Sequence, residues 1–333
     1  MALKIAINGF GRIGRCVARI AATRNDVEVV AINDMASREM LLYLLKNDSV
    51  HGTFSSDVVD VDADHISIDG QSIKIFSDRD PKKLKFADCG ADMVLECTGA
   101  FLTQESAQVH IDNGVSKVLF SAPAKDKETA TFVLGVNEGL YDGQAIVSNA
   151  SCTTNCLAPV AKVLDDAFEI EKGLMTTIHS YTNDQNILDV KHSKDKRRAR
   201  AGALNMIPTT TGAAKAISLV MPQLTGRLHG QSVRVPTPNV SMVDLNVVVK
   251  KETSLEEVTA VFNQMADTKL KGLLLMDKEM RVSQDFVGSP YSSIVAEDLT
   301  QVIGGDMIKI MAWYDNEWGY SMRLIDMALH IAK

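Results

Sequence analysis

The sequence has few cysteines, few aromatic side chains and no excess of positive charge. Its five cysteines contain no CxxC pair and are too few to define the fold of 333 residues by disulfides. An odd cysteine count without a signal peptide predicts a protein of a reducing compartment. The formal net charge of −7 argues against dedicated nucleic-acid binding, because no global positive field attracts phosphates.

Long apolar runs and metal-ligand clusters are missing as well. No segment approaches the roughly 18–20 consecutive apolar residues that a membrane-spanning helix needs. The chain enters a strand-like segment at Leu3–Asn8, which leaves no room for a targeting sequence. We therefore expect a cytoplasmic protein with no membrane partner. Cysteines and histidines nowhere show the spacing of metal ligands, so we expect no metal.

The first 150 residues alternate between strand-like and helical segments. Leu3–Asn8 and Val27–Asn33 are typical of strands, and Arg12–Ala22 between them is typical of a helix. Further candidates for buried strands are Met93–Cys97, Val118–Ser121 and Phe132–Val136. Such alternation predicts an α/β fold with a Rossmann-type, doubly wound parallel sheet that helices cover on both faces.

The second half has longer strands and fewer helices between them. The strand-like segments are Leu174–Ser180, Val243–Val249 and Ile308–Tyr314, and the helical ones are Ser254–Met265 and Ser321–Ala332. This pattern predicts an α+β catalytic domain with a mixed or antiparallel sheet. Because the pattern of strands and helices changes near Asn149–Ser151, we predict domains at 1–150 and 151–315, followed by a C-terminal helix within 316–333.

A glycine-rich motif follows the first predicted strand and opens the first predicted helix. It consists of Gly9, Gly11 and Gly14, with Asp34 at the end of the next strand. Such glycines let backbone N–H groups approach a pyrophosphate, and the carboxylate accepts hydrogen bonds from a ribose. A negative charge there repels a 2′-phosphate, so the motif favours NAD over NADP. The alternative is a glycine-rich turn of purely structural use.

Small polar residues around Cys152 precede an apolar-periodic segment, Cys156–Leu164. A helix that starts near Ser151 places Cys152 in its first turn, where the helix dipole and N–H groups favour a thiolate. Pro159 leaves the start of this helix uncertain by a few residues. Cys156 lies one turn deeper and is expected to be a small buried hydrophobic residue.

A reactive thiol needs a proton acceptor. His179 stands near the end of the strand Leu174–Ser180 and is the candidate, because a His–Cys pair stabilises a thiolate and moves protons. From the residues alone, a structural histidine at a strand end remains the alternative. The basic run Lys191–Arg200 could also be a nucleic-acid-binding patch, but the acidic overall charge and the lack of aromatic residues within the run favour a solvated charge run for its lysines.

Taken together, six segments resemble the phosphorylating glyceraldehyde-3-phosphate dehydrogenases of bacterial type. They are Ala6–Gly14, Ser148–Pro159, His179–Thr182, Pro208–Lys215, Arg234–Asn239 and Trp313–Tyr320. The most specific one reads SNASCTTNCLAP. The resemblance covers essentially the whole chain and implies a homotetramer in which the C-terminal helix packs back on the NAD-binding domain.

The resemblance also implies site residues. Cys152 would be the nucleophile, with His179 as base and oxyanion partner. The residues implied for NAD, besides the three glycines, are Arg12, Ile13, Asp34, Arg79, Ser121 and Asn316. The residues implied for two phosphate groups are Ser151, Thr153, Thr182, Thr211, Gly212 and Arg234. One arginine among Arg197, Arg198 and Arg200 should join them, and Arg197 is our choice.

The implied reaction converts glyceraldehyde 3-phosphate and inorganic phosphate to 1,3-bisphosphoglycerate and reduces NAD, as in glycolysis and gluconeogenesis. A hemithioacetal and a thioester on Cys152 are its intermediates. The alternatives are an erythrose-4-phosphate dehydrogenase of the same family, a cysteine hydrolase and a non-catalytic NAD-binding scaffold. The chain departs from the family at Val190-Lys191, where NAD-specific members carry Leu-Pro. We hypothesise that Lys191 allows weak use of NADP, and a solvated lysine without effect is the alternative.

Overall fold

The computed structural model of the protein describes residues 1–193 and 195–333, so Lys194 of the basic run lies outside the described residues. The chain forms two compact units. The first comprises Met1–Phe132, Glu138–Ala150 and Ser321–Lys333, and the second comprises Val133–Asn137 and Ser151–Tyr320. Every helix in the described part of the chain is too short or too polar to cross a membrane.

The first unit is built on one largely parallel sheet. Its elements are β1 (Leu3–Asn8), α1 (Arg12–Ala21), β2 (Val27–Asn33), α2 (Arg38–Lys46), β3 (Val58–Asp60), β4 (His65–Ile68), β5 (Gln71–Phe76), β6 (Met93–Glu96), α3 (Gln104–Asp112), β7 (Lys117–Phe120), β8 (Ala130–Thr131) and β9 (Ile146–Ser148). The strand order is β3-β4-β5-β2-β1-β6-β7-β9-β8, with β3 to β5 antiparallel and the other pairs parallel. This confirms the Rossmann-type sheet.

The central strands of this sheet are buried on both faces. β1 alternates little, since five of its six residues are buried, and β6 is buried throughout. Continuous apolar strands of this kind are expected where helices cover a parallel sheet on both sides. The sheet therefore holds the carboxyl ends of β1, β2 and β6 in fixed positions, where the cofactor motif lies.

One predicted strand is wrong. Phe132–Val136 forms no strand in the structure, which has only the short β8 before it. The backbone N–H of Val133 donates to Oδ1 of Asn137 at 2.8 Å, and Gly135 has a φ of 80°. The apolar run is therefore a turn that an asparagine side chain closes, a feature that apolar character alone does not reveal.

The second unit is built on a mixed sheet. Its elements are α4 (Cys152–Phe168), β10 (Ile170–Ser180), β11 (Ile207–Thr210), α5 (Ala213–Val220), β12 (Leu228–Val235), β13 (Ser241–Val249), α6 (Leu255–Asp267), β14 (Leu274–Asp277), β15 (Ser293–Ala296), β16 (Gln301–Ile303) and β17 (Met307–Tyr314). The order is β11-β12-β10-β13-β17-β15-β14, and β16 pairs with β17. The pairs β10–β12 and β14–β15 are parallel and the others antiparallel, as predicted for a mixed sheet.

Helix α4 is the central helix of the second unit and packs against β13, β15 and β17. It runs through Pro159 without ending, although proline cannot donate to the carbonyl of Asn155. Most of its residues are buried, Cys156 among them, with its Sγ 3.8 Å from the carbonyl oxygen of Ala312. Cys156 is therefore the small buried residue that we expected.

The last helix, α7 (Trp318–Ile331), belongs to the first unit from Ser321 onward. Within that unit, Asp326 forms an ion pair with Arg24 at 2.7 Å and another with the buried Arg323 at 2.5 Å. The carbonyl oxygen of Ile331 accepts a hydrogen bond from Tyr141 at 3.2 Å. Charged and polar contacts thus fix these terminal residues within the first unit.

Candidate active site

The glycine turn after β1 has a conformation that only glycines allow. Gly9 has a φ of 96°, and a Cβ on it would lie 2.7 Å from the backbone nitrogen of Thr98. A Cβ on Gly14 would lie 2.3 Å from the carbonyl oxygen of Gly9. Gly11 directly precedes α1 and has no side chain that could cap it. The start of α1 therefore has the close-packed, cap-free geometry that suits a pyrophosphate.

Asp34 follows β2 and fixes the same turn. Its Oδ2 accepts a hydrogen bond from the backbone N–H of Phe10 at 2.8 Å, and its Oδ1 accepts one from Ala36 at 2.9 Å. The carboxylate is half-buried. It has two roles, because it positions the glycine turn and presents negative charge at the end of β2, where a ribose would lie.

The remaining residues that we predicted for NAD occupy varied positions. Arg12 and Ile13 form the first turn of α1, but the Arg12 side chain is engaged in an ion pair with Asp48. Burial would raise the pKa of Asp48, yet the hydrogen bond from Arg12 and those from backbone N–H groups hold this pKa well below its ordinary value. Arg12 therefore offers the site its backbone rather than its guanidinium.

Arg79 is exposed beyond β5, and Ser121 stands at the carboxyl end of β7, where its Oγ donates to the carbonyl oxygen of Glu96 at 3.0 Å. Asn316 belongs to the second unit, and its Oδ1 accepts a hydrogen bond from Ser241 at 2.7 Å. The first unit thus brings together the glycines, Asp34 and Ser121 along the carboxyl edge of its sheet.

In the second unit, Cys152 is the first residue of α4. Ser151 caps the helix, because its side chain accepts a hydrogen bond from the backbone N–H of Thr154 at 3.1 Å. The first N–H groups of a helix have no intrahelical acceptors and lie at the positive end of its dipole. The thiol of Cys152 is therefore held at the start of the helix, as the sequence predicted.

His179 faces this thiol. Its Nε2 lies 3.6 Å from Sγ of Cys152, and its Nδ1 lies 2.7 Å from the carbonyl oxygen of Ser180 and 2.8 Å from Nη1 of Arg234. With hydrogen on Nδ1, this nitrogen donates to Ser180, and Nε2 faces the thiol as an acceptor. With hydrogen on Nε2, Nδ1 accepts from Arg234. The first tautomer is the one that can take a proton from the thiol.

Burial shapes the acidity of both partners. It raises the pKa of the Cys152 thiol, and the positive charge of Arg234 together with hydrogen bonds at Thr153 opposes this rise. Burial, and then the charge of Arg234, lowers the pKa of His179 to about 3. An isolated charge on either group is thus disfavoured. A proton that moves from Sγ to Nε2 leaves the net charge of the pair unchanged, so transfer within the pair is favoured over exchange with solvent.

Arg234 is the cation beside this pair. It lies on β12 directly opposite His179 on the parallel strand β10, and Nη1 donates to the carbonyl oxygen of Ser180 at 3.0 Å. Its Nε is buried and has no hydrogen-bond partner among the described residues. Burial lowers its pKa, and Arg198 and Asp184 add smaller electrostatic effects of opposite sign. An arginine that is mostly buried and incompletely paired suits an anionic ligand.

Among the arginines of the basic run, the structure brings Arg198 to this region. Its guanidinium donates to Oγ1 of Thr209 at 2.8 Å, to Asp184 at 2.8 Å and to the carbonyl oxygen of Thr210 at 3.2 Å. The side chain of Arg197 is exposed and lines a cavity of about 390 Å³, which Thr209 and Thr210 also line. Because Arg198 contacts Thr209 and Thr210, it is a second candidate beside our choice, Arg197.

The other residues that we predicted for phosphate binding lie at element ends. Thr182 follows β10, and Thr211 and Gly212 precede α5, where Oγ1 of Thr211 accepts from the backbone N–H of Ala213 at 3.2 Å. Thr153 differs from them, since it is buried and its hydroxyl lies 2.9 Å from Oη of Tyr314. Thr153 therefore also supports the scaffold of the site.

Tyr314 is a residue for which we predicted no role from the sequence. Its buried hydroxyl bonds Thr153 at 2.9 Å and Thr177 at 2.8 Å, and its ring stands edge-on to His179 with centroids 6.0 Å apart. One hydroxyl thus joins the helix that carries Cys152 to the strand that carries His179. The motif Trp313–Tyr320 contains Tyr314, but its sequence reveals neither the burial of Tyr314 nor the two hydrogen-bond partners of its hydroxyl.

A Rossmann-type sheet in the first unit and a thiol–imidazole pair beside a partly buried arginine in the second are typical of one class of protein, the NAD-dependent oxidoreductases. Comparison with known families is more specific. Residues 3–104 match the family model described as glyceraldehyde 3-phosphate dehydrogenase, NAD binding domain, and residues 151–316 match the model of its C-terminal domain. The chain belongs to the glyceraldehyde-3-phosphate dehydrogenase family.

Full-length relatives agree with this assignment. Glyceraldehyde-3-phosphate dehydrogenase of Geobacillus stearothermophilus is 52% identical over 334 residues, which cover 100% of this chain and 99% of the relative. Glyceraldehyde-3-phosphate dehydrogenase 1 of Bacillus subtilis is 51% identical with the same coverage. The chloroplastic glyceraldehyde-3-phosphate dehydrogenase A of Chlamydomonas reinhardtii is 54% identical over 99% of this chain and 89% of the relative.

Proposed function

We propose that this chain oxidises D-glyceraldehyde 3-phosphate to 1,3-bisphosphoglycerate with NAD and inorganic phosphate, through a thioester on Cys152. The observation that carries this proposal is the 3.6 Å contact between Sγ of Cys152 and Nε2 of His179 at the start of α4. Family membership supports the choice of substrate, and the geometry supports the roles proposed for the residues.

The first step forms a carbon–sulfur bond. Cys152 gives its proton to Nε2 of His179 and attacks the aldehyde carbon, which makes a hemithioacetal. The developing oxyanion is held by His179 and by the backbone N–H of Cys152 at the helix start, and His179 then returns its proton to this oxygen to form the hydroxyl of the hemithioacetal. The anion is thus stabilised by groups that α4 and β10 already hold in place.

Oxidation follows at the same carbon. His179 accepts the hydroxyl proton of the hemithioacetal as hydride leaves this carbon. NAD, when bound, supplies the hydride acceptor. The product is a thioester on Cys152, which inorganic phosphate attacks to give the acyl phosphate and the free thiolate. His179 thus serves as proton acceptor in the two steps that precede phosphorolysis.

Two phosphate groups need separate anchors. Arg234 and Thr182 flank the carboxyl end of β10 and are proposed to hold the phosphate of the aldehyde. Ser151, Thr153, Thr211 and Gly212 are proposed to hold the attacking phosphate. An arginine of the basic run is proposed to join them: Arg197, our choice from the sequence, or Arg198, which its contacts with Thr209 and Thr210 support. A guanidinium fork and helix-start N–H groups are suited to such anions.

The assembly and the location are also part of the proposal. We infer a homotetramer from the family resemblance, and the large apolar side chains that the second unit exposes support self-association. These are Leu174, Ile187, Leu188, Leu204 and Met206. We further infer a cytoplasmic enzyme of glycolysis and gluconeogenesis that binds neither a membrane nor nucleic acid as its function, and that needs no metal.

Cofactor preference rests on two charges. Asp34 presents a carboxylate at the end of β2, which favours the 2′-hydroxyl of NAD over a 2′-phosphate. Lys191 is exposed, in a segment whose Val190 N–H donates to the carbonyl oxygen of Ala199 at 2.9 Å. We propose that NAD is preferred and that Lys191 permits slow turnover with NADP.

The test is an NADH absorbance assay with glyceraldehyde 3-phosphate, with phosphate, with arsenate and without either anion. We expect sustained turnover only when phosphate or arsenate is present. A higher kcat/KM with erythrose 4-phosphate would assign the sister activity instead. NAD binding without turnover of either aldehyde would favour a scaffold, and turnover that does not depend on the anion would remove the phosphorolysis step.

A further inference from the structure

The first unit contains a buried carboxylate that the proposed reaction does not use. Glu96 ends β6 and is 0% exposed. Its Oε2 accepts a hydrogen bond from Nδ2 of Asn8 at 2.7 Å, and its Oε1 accepts from both the backbone N–H and the hydroxyl of Thr98, the former at 2.8 Å. Nε2 of His110 lies 3.7 Å away. A carboxylate without water is retained only where such donors replace it.

Glu96 occupies a special place in the sheet. Asn8 ends β1 and pairs in register with Glu96 on the parallel strand β6. The chain continues from β1 to β2 on one side, whereas β6 and β7 lie on the other side. The direction of winding thus reverses between β1 and β6, and ligands of doubly wound sheets bind beyond the carboxyl ends of strands at such a point.

At this point a crevice lies between the glycine turn after β1 and the loop after β6, which form its two walls. The contacts of Glu96 extend into both walls. On one side, Asn8 precedes Gly9. The Oδ1 of Asn8 accepts a hydrogen bond from Nδ2 of Asn33 at 2.8 Å, which connects Asn8 to the end of β2. On the other side, Glu96 holds the backbone nitrogen of Thr98, the atom that a Cβ on Gly9 would approach to 2.7 Å. One carboxylate therefore sets the spacing between the glycine turn and the loop after β6.

We propose that Glu96 is a positioning residue for the dinucleotide. It acts through Asn8 and Thr98 and holds the two walls of the crevice at the separation that the pyrophosphate needs. Its charge opposes this role, because a carboxylate repels a pyrophosphate. If the charge of Glu96 is removed, the loss of geometry should weaken dinucleotide binding, whereas the loss of repulsion should strengthen it. The sign of the change in affinity therefore tests the proposal. The inference rests on the NAD binding that the proposed function includes.

The first test is Glu96→Gln, with NAD affinity measured by titration of intrinsic fluorescence. A glutamine has one acceptor oxygen, so its NH₂ must face the NH₂ of Asn8 or the N–H of Thr98. We expect the Kd for NAD to rise about 10- to 100-fold, the usual cost of a charge-assisted hydrogen bond. The kcat at saturating NAD and the alkylation rate of Cys152 should stay within about twofold. Glu105→Gln removes an exposed charge from the same unit and is the matched control.

A reciprocal exchange separates positioning from general loss of structure. Asn8→Asp alone places two carboxylates in contact and should weaken NAD binding more than Glu96→Gln. Combining the two substitutions reverses the pair, since the amide now on β6 donates to the carboxylate now on β1, whose second oxygen can still accept from Asn33. We expect the double variant to bind NAD at least tenfold more tightly than Asn8→Asp. Thr98→Val, which removes only the hydroxyl contact, should raise the Kd a few-fold and replaces Glu96→Gln if the latter does not fold.

Three results would overturn the proposal. The first is tighter NAD binding by Glu96→Gln, which would show that charge outweighs geometry. The second is a lower melting temperature with an unchanged Kd, which would make Glu96 purely structural. The third is additive behaviour of the double variant. Failure of the wild type to bind NAD in the same titration would instead remove the proposed function, so the two failures are distinguishable.

Discussion

The two units build their sites in different ways. The cofactor site of the first unit is formed by backbone that is nearly contiguous in sequence, a glycine turn followed by the start of α1. The candidate catalytic site of the second unit is formed by side chains from α4, β10, β12 and β17. The first site depends on the absence of side chains, whereas the second depends on which side chains meet. Substitutions should therefore have different effects in the two units.

The largest effect is expected at the nucleophile. Cys152→Ser should reduce turnover below detection, because a serine hydroxyl has no comparably stable anion and would give an ester instead of a thioester. NAD affinity, a property of the other unit, should stay within a few-fold. Cys156→Ser is the control and should retain most activity, since Cys156 is fully buried and burial raises its pKa far above the ordinary value. An inactive Cys156→Ser beside an active Cys152→Ser would reverse the assignment.

His179→Asn should slow hydride transfer about 10²- to 10⁴-fold, the usual contribution of a general base. The alkylation of Cys152 should also move to higher pH. Burial raises the pKa of this thiol, and the variant removes the acceptor that lets the proton leave without net charge separation. Rapid-mixing NADH formation and iodoacetamide rates across pH measure the two effects. Unchanged profiles of both would make His179 structural.

In the first unit, Gly9→Ala should raise the Kd for NAD by roughly 100-fold. The substitution forces a positive φ on alanine and places its Cβ 2.7 Å from a backbone atom, and strain of this kind costs about 1–3 kcal/mol before the overlap is counted. Cys152 alkylation should not change. Gly139→Ala, with open space around its Cβ, is the neutral control. A loss of thiol reactivity in Gly9→Ala would contradict the separation of the two sites.

Arg234→Leu should raise the KM for glyceraldehyde 3-phosphate about 10- to 100-fold through the loss of a charge-assisted contact. The KM for unphosphorylated glyceraldehyde should change far less. Steady-state kinetics with both aldehydes check this difference. Equal losses on the two substrates would show that Arg234 acts through His179, from which it is 2.8 Å away, rather than on the phosphate.

The smallest effect is expected at Lys191. Lys191→Pro should lower kcat/KM for NADP a few-fold and leave that for NAD unchanged, because an exposed charge contributes only ~0–1 kcal/mol. Kinetics with both cofactors in the wild type and the variant provide the ratio. The hypothesis fails if the wild type shows no NADP activity, or if the ratio of kcat/KM for NADP to kcat/KM for NAD is the same in Lys191→Pro as in the wild type.

Local sequence patterns predicted much of the fold and part of the candidate site. The glycine turn, Asp34 and the start of α4 depend on neighbours within a few residues or one βαβ unit, so the local sequence is enough to predict them. Tyr314 and Glu96 could not be found in this way, since their partners are up to 161 and 88 residues away. The choice between Arg197 and Arg198 stays open from the sequence for the same reason. Adjacent residues of a turn point in different directions, and only the neighbouring strand β11 distinguishes them.

The composition of the first unit has a consequence for how the chain folds during synthesis. This unit includes Ser321–Lys333, whose contacts with Arg24 and Tyr141 join the two ends of the sequence. At about 5–20 residues per second, roughly 10–35 seconds separate the synthesis of residue 150 from that of residue 321. Throughout this interval the nascent Rossmann-type sheet must persist without its last helix. The unit that a ribosome begins first is therefore the one that it completes last.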